Sequence, residues 1–276
     1  MANKGVELEL NYIPVNKKNF TWKINLNLTH YKNKITYLPD EKKTTVMDGH
    51  GGYMNGSRYY GEDLPINTWY MKRFAGLSED GLSLWYYTDK ETNEEKTTTT
   101  YSTGDFYLCG DPNPDLYGGF GTSITFHGFD LSTQFSYLVG GLTYDYGYAG
   151  MMGNPTATSV GNRWHKDVLK AWSPENPSST IPRWYFNDLN TTGSSDRFLI
   201  DGSYLNLQNI QVRYTLPDSW TSHLKIKNLR LYFVCDNVYY WSKRKGLDPR
   251  RSISGVGTSG KIAPFRTYSG GISLQF

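Results

Sequence analysis

The chain of 276 residues is poor in several features, and each shortage removes a class of protein. It holds no uninterrupted run of about 18 apolar residues, so no helix can cross a bilayer. Strands are untouched by that exclusion, because a membrane-crossing strand shows only alternate residues to lipid and is polar on average. The two cysteines, Cys109 and Cys235, lie far apart with no Cys or His at metal-ligand spacing, which excludes a disulfide scaffold and a structural zinc site. Five histidines, at 30, 50, 127, 165 and 223, are scattered; HExxH and GxSxG are both missing, so zinc and nucleophilic hydrolysis have no footing. A net charge of only +3 gives no basis for binding nucleic acid. The opening "MANKGVELEL" lacks the basic and apolar regions of a secretory signal and runs straight into an alternating strand, as if cut from something longer.

Aromatic residues are abundant: 23 Tyr, 12 Phe and 8 Trp. Such amphipathic rings suit a membrane interface or a sugar-binding surface. With 38% hydrophobic and 20% charged residues, the chain is too apolar to be disordered.

Period-2 alternation marks the strands. Apolar residues recur at Val6, Leu8, Leu10, Tyr12; Phe20, Trp22, Ile24, Leu26, Leu28; Phe120, Ile124, Phe126; Phe129, Leu131, Phe135, Tyr137; Ile210, Val212, Tyr214; and Leu229, Leu231, Phe233, Cys235. The last strand, "RTYSGGISLQF", sets Tyr268, Gly270, Ile272, Leu274 and Phe276 on one face and only small or polar residues on the other. Glu7, Glu9, Lys23, Asp130, Arg213, Arg230 and Asp236 fall in the opposite phase. A soluble sandwich also alternates, so connection lengths carry the decision. Links at 13–19, 127–128 and 215–227 are short and those at 31–56, 140–197 and 242–265 are long, in alternation. Short turns on one rim and long loops on the other, with aromatics near strand ends, is the pattern of an outer-membrane barrel. The segments "SRYYGEDLPINTWYMKRFAGL" and "LSLWYYT" are read as two more crossings, giving about nine strands. In "SYLNLQNIQVRYTLP" the apolar phase slips between Leu207 and Ile210, which predicts a bulge near Gln208 and Asn209. Within 140–197, Trp164, Val168 and Trp172 are spaced by four between Asn162, a candidate cap, and Pro174, predicting one short helix.

Several local matches have plainer readings. "GVGTSG" at 255–260 fits GxGxxG without a surrounding βαβ unit and is read as a loop. "DPNPD" places Asp111, Asn113 and Asp115 as an EF-hand would, but Leu116 stands where Gly is needed, so a turn is expected. Glu7 and Glu9 on one strand face suggest a glycosidase pair less well than they suggest a polar barrel wall. The stretches "DKETNEE" and "SKRKGLDPRR" are read as solvated loops, with phosphate contact by Lys243, Arg244, Lys245, Arg250 and Arg251 as the minor alternative. Tyr144, Tyr146, Tyr148, Trp164, Trp172 and Trp184 either stack on sugar rings or a partner, or pack their long loop upon itself. No metal ligands or cofactor motif emerge.

The stretches "NKGVELELNY", "YGGFGTSITFHGFDLSTQFSY", "NRWHKDVLKAWSPENPSSTIPR", "DRFLIDGSYLNLQNIQVRYTLPDSW" and "LRLYFVCDNVYYWSKRKGLDP", with the terminal strand, resemble the C-terminal part of the SusC/RagA class of TonB-dependent outer-membrane transporters. The resemblance implies an all-β antiparallel transmembrane barrel segment over 1–276, taken from a plugged barrel of about 22 strands. It implies import of glycan oligomers or peptides across the outer membrane, with no enzymatic step and no cofactor. The partners implied are a SusD-like lipoprotein over the long loops and the TonB complex, reached through an N-terminal part that this chain lacks. Outer-membrane lipid, lipopolysaccharide and the barrel assembly machinery complete the set. Glu7, Glu9, Lys23, Asn25, Asn27, Gln134, Gln211, Arg213 and Arg230 would face the lumen or plug. Tyr144, Tyr146, Trp164, Trp172 and Trp184 would meet substrate or lid. Tyr268, Gly270, Ile272, Leu274 and Phe276 would be the signal read during barrel assembly. Without its first strand the piece is expected as a curved open sheet. A passive porin and a soluble carbohydrate-binding sandwich are the alternatives.

Overall fold

The computed structural model describes residues 1–157, 161, 163–188, 193–256 without 252–253, and 264–276, except the side chains of Leu224 and Arg251. Its strands are β1 (Ala2–Lys17), β2 (Phe20–Lys34), β3 (Thr45–Met47), β4 (His50–Asn55), β5 (Arg58–Gly61), β6 (Thr68–Lys72), β7 (Phe74–Leu77), β8 (Ser83–Thr88), β9 (Glu95–Thr98), β10 (Phe106–Leu108), β11 (Leu116–Phe126), β12 (Phe129–Val139), β13 (Leu142–Tyr144), β14 (Leu199–Asp201), β15 (Tyr204–Thr215), β16 (Asn228–Ser242) and β17 (Thr267–Gln275). Two short helices join them, α1 (Tyr146–Met152) and α2 (Asp218–Thr221).

The long strands form one sheet in the order β1-β2-β11-β12-β15-β16-β17, every pair antiparallel. They run from 9 residues in β17 to 16 in β1, enough for the roughly 9–11 residues a tilted strand needs to cross a bilayer. Each strand pairs with its predecessor along this path, so backbone donors and acceptors are spent between neighbours, as hydrocarbon requires. The sheet is open, with β1 and β17 at its two edges.

Register carries the apolar phase across the sheet in unbroken rows. One row runs Leu10, Leu26, Phe120, Phe135, Leu207 and Tyr239. Nearer the short-turn rim lies Phe20, Phe126, Phe129, Tyr214, Leu231 and Ile272, and nearer the long-loop rim Tyr137, Leu205 and Trp241. Aromatics gather at both rims, as interfacial girdles do, and the stacked Phe120 and Phe135 continue them into the middle of the apolar face. Among the described residues nothing forms a second layer over this face: Val6 is 67% and Ile272 66% exposed. That corrects the sandwich alternative, since a sandwich must bury its apolar face against another sheet.

The predicted bulge is present. Phe135 pairs with Leu207 and Gln134 with Asn209, leaving Gln208 extra, and β16 answers with its own irregularity around Asn237, at φ 55°. Lys18–Asn19 and His127–Gly128 make tight hairpins. The latter has φ of 48° and 84°, a turn whose twist suits two strands, and a Cβ on Gly128 would stand 2.6 Å from the Thr215 carbonyl.

Two expectations are corrected. The main sheet has seven strands, because 57–116 supplies no crossing; its strands belong to a five-stranded sheet (β10-β6-β5-β4-β3) and a three-stranded one (β7-β8-β9). They are 3–6 residues long, too short to cross, and all five residues of β6 are buried, leaving no face for lipid. The helix is also elsewhere. Residues 166–170 form only a 3₁₀ turn, while the α-helix of that loop is Tyr146–Met152, with Asp145 accepting from the Tyr148 amide at 2.9 Å. Trp164, Val168 and Trp172 do not line one helix face: Trp164 packs on Trp184, Trp172 lies against Gly81, and Val168 alone reaches the loop core. The candidate cap Asn162 lies outside the described residues, as do 257–260 of the glycine-rich match.

Candidate functional site: the polar wall and the loop body above it

The face opposite the apolar rows carries the polar phase. Register sets Glu9 beside Asn27, Asn11 beside Asn25, then Gly121, Gln134, Asn209 and Asp236 along one row, and Lys23 beside Ser123. Arg213 pairs across with Asp130 and Arg230 with Thr215, both in the same phase. The candidate wall residues Glu7, Glu9, Lys23, Asn25, Asn27, Gln134, Arg213 and Arg230 thus share this face.

Two glycines shape its centre. The Gly119 amide donates to Asn27 Oδ1 at 2.8 Å, and a Cβ on Gly121 would lie 2.2 Å from Gln134 Oε1 and 2.6 Å from Asn25 Oδ1. Carboxamides therefore lie flat across the strand where side chains would otherwise stand. Beside them lies a groove of about 470 Å³, lined by Asn11, Lys23, Asn25, Gln134 and Asn209 together with the apolar Tyr12, Ile13 and Ile24. Its donors and acceptors are uncharged apart from Lys23, a surface suited to hydroxyl or amide groups.

Above the long-loop rim the loops fold into one body. Its core is Trp69, Met71, Tyr144, Met152 and Phe198, drawn from β6, β13, α1 and the turn before β14. The guanidinium of Arg58 lies over Trp69 and donates to the carbonyls of Asn67 and Ser254. Tyr144 donates its amide to the Gly255 carbonyl at 2.8 Å, so the segment before β17 is threaded between the two earlier loops. Arg197 rests over Phe74 and Phe198. Burial pushes the guanidinium pKa values of Arg58 and Arg197 down to about 10. Neither arginine was singled out from sequence; each has an aromatic neighbour in the chain, a weak signal.

The five loop aromatics take different places. Tyr144 is buried in the core, and Tyr146 stands over it, ring centroids 4.4 Å apart, with its outer side open. Trp164 and Trp184 meet edge to face, and Trp172 is half-buried. Tyr146 also borders a cavity of about 430 Å³ with Tyr148, His165, Arg244, Lys245 and Asp248. Its floor is a charged stack: Arg244 lies 3.3 Å above the Tyr148 ring, donates to Asp145 at 3.0 Å, and the Tyr148 hydroxyl donates to Asp167 at 3.0 Å. Burial and then Asp167 raise the Tyr148 phenol pKa.

The basic stretch is not uniformly solvated. Arg244 is tied to Asp145 and Arg250 to Asp248 and Asn206, while Lys243 and Lys245 stay exposed. In "DKETNEE", Asp89 pairs with Lys96 and Glu95 with Arg73. Asp111 Oδ1 accepts from the Asn113 amide at 2.9 Å, a turn. Among the described residues no group of three or more His, Cys, Asp or Glu converges as metal ligands.

A two-faced antiparallel wall under folded long loops defines the class: a segment of an outer-membrane-type β-barrel. No protein-family model matches the chain. TonB-dependent receptor P3 of Formosa agariphila is 28% identical over 306 residues, covering 100% of this chain and 29% of that protein. TonB-dependent receptor SusC of Bacteroides thetaiotaomicron is 26% identical over 285 residues, covering 100% of this chain and 26% of that protein. Among solved structures, the RagAB peptide transporter superposes with a TM-score of 0.80 at 24% identity, covering 99% of this chain and 29% of that one. The RagAB importer in its open-open state gives 0.76 at 25%, covering 99% and 28%. The chain spans under a third of the length of the relatives it matches. Along its whole length the chain is similar to SusC/RagA-type TonB-dependent transporters, and it has the fold of part of their β-barrel. These relatives are receptors and importers, not enzymes.

Proposed function

We propose that residues 1–276 are the C-terminal part of the wall and mouth of an outer-membrane nutrient importer of the SusC type. The observation that carries the reading is the sheet's division into an apolar flank and a glycine-and-carboxamide flank, continuous over seven strands and matched to such transporters along the whole chain. Glu7, Glu9, Lys23, Asn25, Asn27, Gln134, Arg213 and Arg230 line the passage or its plug. The loop body, with Tyr146 at its surface, Trp164, Trp172 and Trp184 half-buried and Tyr144 within, meets substrate and a SusD-like lipoprotein lid. Energy comes from the TonB complex through parts outside this chain. Tyr268, Gly270, Ile272, Leu274 and Phe276 are read by the barrel assembly machinery, and lipid and lipopolysaccharide surround the apolar flank.

The substrate is an oligomer rich in hydroxyl or amide groups, a glycan or a peptide, which is what an uncharged carboxamide groove and loop aromatics bind. A passive porin would share the wall, but the relatives are TonB-dependent receptors. The test is uptake of labelled oligosaccharides and oligopeptides by cells carrying the full-length transporter, with and without TonB. Import of one class that needs TonB and falls in Tyr146→Ala or Trp184→Ala variants supports the reading; TonB-independent diffusion of both classes overturns it.

A further inference from the structure

Two surface features share Trp241 at the long-loop rim, a shallow apolar surface on the outer flank and a notch that wraps the edge of β16. One, of about 520 Å³, is bordered by Phe120, Tyr137, Val139, Leu205, Trp241 and Lys243 and is almost wholly apolar. The other, of about 510 Å³, is bordered by Asn237, Tyr239, Trp241, Lys245, Arg250 and Arg266. Among the described residues no Asp or Glu borders either. Among the described residues, β17 stops pairing at Thr267, opposite Asp236, while β16 continues to Ser242, which leaves a notch beside its edge.

Three cations flank Trp241, Lys243 on the apolar surface and Lys245 and Arg266 at the notch, and are open to an anion. Lys243 has only a long contact to Asp201, 3.6 Å, with its side chain 63% exposed. Among the described residues Lys245 and Arg266 pair with no carboxylate; Lys245 is exposed, and Arg266 donates to the Tyr268 hydroxyl at 3.5 Å. Arg250 and Arg244 are already neutralised by Asp248 and Asp145. Tyr239 and Trp241 pack edge to face at 4.8 Å, both about half exposed. A greasy bay and a cationic bay sharing one tryptophan fit a molecule with an acyl chain and an anionic head. Lys and Arg around one bay suit a phosphate, which offers several acceptor oxygens and up to two charges.

We infer that Lys243, Lys245 and Arg266, with Trp241 and Tyr239, hold a phosphorylated glycolipid of the outer leaflet against the barrel. The inference rests on the reading of the apolar flank as lipid-facing. Phosphate sits in the notch and an acyl chain lies along Leu205 and Val139. Of the basic stretch, only Lys243 and Lys245 take part, joined by Arg266 from outside it.

The test uses the full-length transporter in detergent, with binding of bisphosphorylated lipid A, its dephosphorylated form and inorganic phosphate measured by native mass spectrometry. The K243S/K245S/R266S variant should bind bisphosphorylated lipid A about 100-fold more weakly, taking each surface cation at its usual contribution near an anionic lipid. Trp241→Ala should weaken both lipids, Lys227→Ser on the opposite rim should change nothing, and inorganic phosphate at equal concentration should not compete. Equal binding by the triple variant and the parent overturns the inference. So does equal binding of the dephosphorylated lipid, which would leave an apolar groove only, or competition by inorganic phosphate, which would mark a site for free anions. Heat-modifiable migration on detergent gels separates the two levels: if it persists while the triple variant binds unchanged, only the glycolipid site falls, whereas its absence in the parent removes the membrane reading beneath it.

Discussion

Arg58 lies over Trp69, its guanidinium carbon 3.1 Å from the ring centroid, while donating to carbonyls of two segments almost two hundred residues apart, Asn67 and Ser254. One side chain thus ties the loop after β2 to the loop before β17. Loops so tied should open together rather than one by one. Arg58→Met keeps the packing volume and removes the charge and its donors. It should cost about 3 kcal/mol of loop-body stability, the sum expected for a desolvated cation–π contact and hydrogen bonds from a charged donor. Hydrogen exchange should show the Trp69 and Tyr144 amides exposed sooner, with those of β11 and β12 unchanged.

Gly255 is the other half of that tie. Its φ of 70° and a phantom Cβ 2.4 Å from the Leu142 carbonyl and 2.6 Å from Pro112 leave no room for a side chain. Gly255→Val should therefore open the same body, by more than the roughly 1 kcal/mol lost to left-handed backbone alone. Limited proteolysis of the full-length transporter should then cut in 140–203 at protease levels the parent resists.

How much of this was legible beforehand varied with length and period. The seven long strands were, because a strand buried on one side must alternate, and the slip between Leu207 and Ile210 announced its bulge for the same reason. The region 57–116 misled because Tyr, Trp and Met cluster in β6 and β8 as densely as in a crossing, yet Trp69, Tyr70, Met71 and Trp85 are buried among loops. Only element length separates the cases, and sequence marks boundaries poorly. The helix misled in the opposite way. Trp164, Val168 and Trp172 have helical spacing but three separate partners, while "YGYAGMM" carries two glycines and is helical because Asp145 caps it and Met152 reaches the core. The threading of Ser254–Val256 through the loop body left no local trace at all, since it depends on partners at Arg58 and Tyr144.

Cys109 provides a chemical check on the loop core. Burial drives its thiol up to about 11, with Asp196 adding to the shift. The neutral thiol is favoured in the folded state, so the reactive thiolate appears only as pH climbs towards 11. At pH 8 iodoacetamide should modify Cys109 roughly 100-fold more slowly in folded protein than in urea, from the pKa difference alone. Peptide mapping after timed labelling measures this; equal rates would mean the core is open.

Charge placed on the two flanks should have unequal effects. Phe120→Arg sits mid-strand in the apolar rows and should cost about 2–4 kcal/mol, the usual penalty for a cation facing lipid near mid-membrane. Gln134→Arg, next to it in sequence register but on the other flank, should leave the amount of folded full-length transporter in the outer membrane within about twofold of the parent. Heat-modifiability gels on membrane fractions give both numbers.

The central claim is that one flank of this sheet meets acyl chains and the other an enclosed aqueous passage. Nitroxide labels at Leu26, Phe120 and Phe135, and at Asn25, Ser123 and Gln134, in the full-length transporter reconstituted in lipid, test it directly by collision with oxygen and with a water-soluble nickel chelate. The account predicts high oxygen and low nickel accessibility for the first three and the reverse for the second three. Equal nickel accessibility on both flanks, or a label at Leu26 immobilised and reached by neither reagent, would contradict it.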